Sequence, residues 1–200
     1  RAFFHDQFGS EEAQSNSRFS RIEIYSFRAK PSGDLEIGPP LLALCNPGSV
    51  NDLTKYFQNP EAVRRRFEQD FLARIEEQIK ELLTVKESPR SPIFEAFKHI
   101  ESGTFSEPRF RKSRKLFVIA SDMIHNTKEY EFHKAVPLFD DFRRSAYGSQ
   151  RIPQLAGVEI HLFQLRAERP LPQDSERFKQ FWSSYFLATN AKPGAREDIP

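Results

Sequence analysis

Residues 114–127, RKLFVIASDMIHNT, decide how the chain reads. Five apolar residues, Leu116 to Ala120, follow a basic cluster and stop at Ser121 and Asp122. A continuous apolar run of that length, closed by polar residues, predicts a central strand buried on both faces. In open α/β sheets, ligands bind just beyond the carboxyl ends of the strands. The segment from Ser121 to Asn126 is therefore the first place to look for a site.

Working outward, 157–165, GVEIHLFQL, predicts a second strand with Val158, Ile160 and Leu162 inward. Between the two strands, Phe132, Val136, Phe139 and Phe142 keep helical spacing, with Pro137 near the start of the regular part. Upstream, Ser91-Pro92 introduces a helix that turns Ile93, Phe94, Phe97 and Ile100 inward and ends near Gly103. Asn59-Pro60 is the clearest helix start, a capping side chain before a proline whose missing N–H is not needed there. Its apolar stripe runs Val63, Phe67, Phe71, Ile75, Ile79 and Leu82.

Residues 21–27, RIEIYSF, and 41–44 read as strands, separated by the turn KPSGD and followed by the break CNPG. Asp174 or Ser175 caps a last helix carrying Phe178, Phe181, Trp182, Tyr185 and Phe186. Residues 1–20 read as a short element and a mobile loop, 21–190 as one α/β domain, and 191–200 as a polar, frayed tail. Strands alternating with helices predict a mostly parallel, doubly wound, Rossmann-like sheet with helices on both faces.

Composition narrows the function classes. Twenty Phe against one Met and one Trp make the core aromatic. Thirty basic and 28 acidic residues leave a formal +2, which gives no reason to make nucleic acid or an anionic membrane the default partner. One cysteine, Cys45, excludes an internal disulfide framework and a four-cysteine zinc site. No run approaches the roughly 18–20 apolar residues of a membrane span. The reading is of a soluble domain, with the cytoplasm the favoured compartment, and Arg1 in first place suggests a piece whose upstream segment is missing.

The order of these residues resembles a von Willebrand factor A-like domain, particularly a divergent bacterial type. The helix opened by Ser91-Pro92, the strand ending in Ser121-Asp122, the segment LAGVEIHLF and the pairs Phe181-Trp182 and Tyr185-Phe186 carry the likeness over about residues 21 to 190. The resemblance implies a noncatalytic protein–protein interaction module. It also implies a metal-ion-dependent adhesion site with Asp122 as the late acidic ligand and Ser88 or Ser91 in the middle loop. The first motif of that site finds only Asp6-Gln7-Phe8-Gly9-Ser10, with Phe8 where a hydroxyl should stand, so the site reads as degenerate. No resident cofactor is expected; Mg2+ or Mn2+ would need an oxygen from a partner. The expected recognition crevice comprises Ser91, Ser121, Asp122 and Asn126.

Two other classes give different expectations. A metal-assisted hydrolase would join Asp122 to another acid such as Asp34 or Asp52. A phosphate-backbone binder would use Arg109, Arg111, Lys112, Arg114 and Lys115. His125 and His133 lack regular metal-ligand spacing, and His99 and His161 read as structural. No Walker loop, G-x-S-x-G elbow or cysteine-protease signature occurs.

Overall fold

The computed structural model describes residues 20–29, 35–36, 38–48, 59–84, 90–165 and 175–199. It is a mixed α/β structure. Four short strands come first: β1 (Arg21–Ile24), β2 (Arg28–Ala29), β3 (Leu35–Glu36) and β4 (Leu42–Cys45). Helix α1 (Pro60–Arg65) runs through a π-helical stretch (Arg66–Leu72) into α2 (Ala73–Leu83), and α3 (Ile93–Ser102) follows. Then come β5 (Lys115–Ser121), α4 (Phe139–Arg144), β6 (Val158–Leu165), α5 (Glu176–Ala188) and β7 (Lys192–Ile199). Contacts divide the chain into two compact units, Arg1–Ser26 with Gly38–Glu87 and Phe27–Ile37 with Ser88–Pro200. Among the described residues, no helix is long and apolar enough to cross a membrane.

In the first unit, β1 pairs antiparallel with β4, Ile22 opposite Leu44 and Ile24 opposite Leu42. Alternation puts these four residues on one face, where they meet Phe67, Phe71 and Ile75. Each such side chain, once buried, contributes about 1.5–3 kcal/mol. The helix begins as its sequence predicts: Asn59 Oδ1 accepts from the Glu61 N–H at 2.9 Å and the Ala62 N–H at 3.3 Å.

The π-helical stretch has a cause in the spacing. Val63, Phe67, Phe71, Ile75 and Ile79 repeat every fourth residue, which in α geometry drifts about 40° per step around the axis. The wider π turns take back part of that drift between Phe67 and Phe71, keeping the stripe on the β1–β4 face.

In the second unit, β5, β6 and β7 form a parallel sheet in that order, and β2 pairs antiparallel with β3. Two expectations change here. The central strand is β6, buried on most of both faces; β5 is only half-buried and, among the described residues, pairs with β6 alone. The tail from Lys192 is not frayed but forms β7, since strand pairing draws on main-chain groups and does not require apolar side chains. Pro193 is tolerated because β7 lies at the edge of the sheet among the described residues.

The core of this unit is built around Phe94, which is fully buried. Its ring lies 4.2–6.4 Å, centroid to centroid, from those of His125, Phe132, Phe142, Tyr147, Phe181, Trp182 and Tyr185. Aromatic pairs at such distances add about 0.5–1.5 kcal/mol each beyond area burial. The stripes predicted for α3 and α5 supply Phe94, Phe181, Trp182 and Tyr185, and Ser175 caps α5 by accepting from the Phe178 N–H at 3.2 Å.

Candidate functional site

At the carboxyl end of β5 the chain turns sharply. Ser121 Oγ accepts from the Met123 N–H at 3.0 Å, and Asp122 Oδ1 accepts from the Ile124 N–H at 2.9 Å. These bonds brace Met123, whose φ of 61° lies in the left-handed region that a long side chain seldom adopts. One carboxylate oxygen of Asp122 is thus engaged in shaping its own loop.

The loop is joined to the start of α3 through main-chain bonds in both directions. The Ser91 N–H donates to the Asn126 carbonyl and the Asn126 N–H to the Ser91 carbonyl, each at 3.0 Å. Asn126 also bridges Glu131. This pairing takes the place expected for a side-chain cap at Ser91: α3 starts at Ile93 with Pro92 at its cap and no side-chain capping bond. Ser91, Ser121, Asp122 and Asn126 therefore belong to one connected loop pair beyond β5. Ser88, Asp34, Asp52 and the segment Asp6–Ser10 lie outside the described residues.

Beneath the loop is a buried polar network. His125, fully buried, stacks obliquely on Phe94 with ring centroids 4.2 Å apart. Its Nε2 lies 3.1 Å from Thr127 Oγ1 and 3.3 Å from Tyr147 Oη. The Tyr147 hydroxyl donates to Glu95 Oε1 at 2.5 Å, and Arg151 Nε donates to the same oxygen at 3.3 Å. Glu95 Oε2 and His125 Nδ1 are buried without a hydrogen-bond partner. An unpaired lone pair is less costly than an unpaired N–H, so the assignment that satisfies most groups puts the proton on Nε2, donating towards Thr127 and Tyr147.

The electrostatics follow from burial. Desolvation pulls His125 from the ordinary 6.5 down to about 3, so the ring is neutral at physiological pH. Burial first, and then the hydrogen bond to Glu95, pushes the Tyr147 phenol far above its usual range. The Tyr185 phenol, which donates to the Arg151 carbonyl at 2.7 Å, is also pushed up, mainly by burial. A neutral imidazole and two un-ionised phenols make a positioning framework that ties α3, the β5 loop and the segment after α4 together.

The turn after α4 that delivers Tyr147 depends on Gly148. A Cβ there would lie 2.0 Å from the Phe142 carbonyl oxygen, and the Gly148 N–H donates to Ser145 Oγ at 2.9 Å. Sequence reading missed Glu95, Thr127, Tyr147 and Arg151. The one available signal was Glu95 itself, an acid set among Ile93, Phe94, Ala96 and Phe97 inside an apolar stripe.

As for metal, the described residues of this loop pair contribute one carboxylate, Asp122, and the hydroxyls of Ser91 and Ser121. No group of three or more His, Cys, Asp or Glu side chains suited to an ion occurs among the described residues. A divalent ion on that set would draw the rest of its oxygens from water or from a partner. His125 is sealed in the core while His133 is exposed.

The basic cluster lies at the other end of β5, running into its first residue, Lys115. Arg109 pairs with Glu107 and stacks on Phe110, 4.7 Å from the ring centre. Arg114 pairs with Glu159 at 2.9 Å, and Lys115 Nζ donates to the Phe105 carbonyl at 2.6 Å. Arg111 and Lys112 are exposed. Three of the five cations are thus engaged within the fold.

Comparison with protein-family models, with curated proteins and with solved structures gave no match.

Proposed function

We propose that the chain is a noncatalytic protein–protein interaction module of von Willebrand factor A-like type. In this reading the parallel strands β5, β6 and β7 are part of a doubly wound sheet, and the partner is met by the loops beyond the carboxyl end of β5. One observation carries the proposal: the reciprocal Ser91–Asn126 main-chain bonds, which hold the two loops of the resemblance against each other. Crevices at the carboxyl ends of parallel strands are where α/β sheets recognise ligands, and a braced loop pair loses little freedom on binding. The metal dependence of the adhesion site is lost or reduced, with Asp122 retained as a loop-shaping carboxylate.

A photo-crosslinking residue placed at exposed Lys128 or Glu129, beside Asn126, should capture a discrete protein in cells, whereas the same residue at exposed Lys179 on α5 should not. Equal labelling at all three positions would reject the loop pair as the recognition surface. Calorimetry with Mg2+ and Mn2+ should show no uptake by the chain alone, and uptake abolished by Asp122→Ala would restore the metal-dependent form of the mechanism.

A further inference from the structure

Strands β6 and β7 fall out of step at one point. Ile160 pairs with Pro193 and Leu162 with Arg196, so two steps along β6 face three along β7. Such an irregularity leaves a main-chain group without its ladder partner. The His161 ring fills the gap: its Nδ1 accepts from the Ala195 N–H at 3.2 Å, and its Nε2 lies 2.8 Å from Glu159 Oε1. Only glycine leaves room for the ring, since a Cβ at Gly194 would lie 2.6 Å from His161 Cδ2 and Nε2.

The geometry fixes the tautomer. A ring nitrogen that accepts must carry no proton, so Nδ1 is bare and Nε2–H donates to Glu159. An imidazolium donates from both nitrogens, which sets Nδ1–H against the Ala195 N–H. The charged groups around the ring make the response one-sided. Glu159 on β6 faces Nε2 and favours the added charge; Arg114, and after it His161, hold that carboxylate below its ordinary range. Arg196, next along β7, is held by Gln164 Oε1 at 2.7 Å. The ring stays with Glu159, and the cost falls on β7. That strand is suited to detach: Pro193 brings no N–H to the ladder, and residues 193–196 are exposed.

We infer that His161 is a proton-operated latch, holding the edge strand β7 on the sheet while the imidazole is neutral and releasing it when the ring is protonated. The holding contact is present above the ring's own titration and lost as pH falls through it. Amide-exchange protection of Gly194, Ala195 and Arg196, corrected for intrinsic rates, tests this by NMR alongside the His161 ring signals in the same samples. Protection should fall roughly tenfold, the value of one lost hydrogen bond, with a midpoint matching that of the ring. His161→Phe keeps a ring but no acceptor, and should show low protection at every pH. Glu159→Gln, a second variant should the first not fold, should move the ring's midpoint and the β7 midpoint to lower pH together. Constant protection of Ala195 across the ring's titration, or a His161→Phe curve identical to the parent's, overturns the inference.

Discussion

Acid should destabilise this protein through His125 in particular. The ring is fully buried, and desolvation lowers it from 6.5 to about 3. Between those values the unfolded chain takes up a proton that the folded chain refuses. Stability is therefore intact above about pH 6.5, falls as pH drops, and stops falling near pH 3, where the folded ring also protonates. The slope is about 1.4 kcal/mol per pH unit, and the whole window is worth on the order of 5 kcal/mol. That is comparable to the entire stability of many domains, about 5–15 kcal/mol. Urea unfolding of the parent and of His125→Gln, at whole pH units from 7 to 4, isolates the effect. The variant will start less stable, because Thr127 and Tyr147 lose a fitted partner, but its stability should fall less steeply with acid. Other titrating groups are common to both chains and largely cancel in the difference, leaving about 1.4 kcal/mol per unit. Parallel curves would show that His125 is not held neutral by burial.

Two further outcomes rest on local geometry. Gly148→Ala forces a Cβ to 2.0 Å from the Phe142 carbonyl oxygen, so the turn must move; a loss of at least about 1–3 kcal/mol is expected, and an unchanged thermal midpoint would contradict the packing described. Asn59→Ala removes the acceptor for two N–H groups at the start of α1 and should cost about 1 kcal/mol by urea titration, with Asn59→Asp close to neutral.

Local signals in the sequence located most elements, because they act within a few residues. Asn59-Pro60, Ser175 and the aromatic spacing of α3 and α5 all report on their own turn of helix, and each holds. The order of strands is another matter. Leu116 to Ala120 is more uniformly apolar than β6, yet β6 is central, because its position is decided by pairing with β5 and β7, which lie far away along the chain. β7 was hidden for the same reason: KPGAREDI has no strand pattern of its own and is ordered by main-chain bonds to β6. In the candidate site, Ser121, Asp122, Asn126 and Ser91 were legible as a strand end and a helix start. The network beneath them was not. Glu95, His125 and Tyr147 come from three separate segments, and neither their burial nor their shared hydrogen bonds leave a periodic trace. The strict four-residue stripe from Val63 to Ile79 was visible, but its mismatch with α geometry became meaningful only once the π-helical stretch was seen.

The aromatic cluster around Phe94 also sets a schedule for biosynthesis. Phe94 emerges about 90 residues before Tyr185, so the rings of α5 that enclose it follow only after that stretch has been made. At typical elongation speeds of about 5–20 residues per second, Phe94 and its early neighbours wait roughly 5–20 seconds for their covering helix. Throughout that interval a nascent chain rich in phenylalanine presents sticky surface to the cell. Substitutions that weaken α5 should therefore lower the yield of properly folded chains more than equilibrium stability alone would predict.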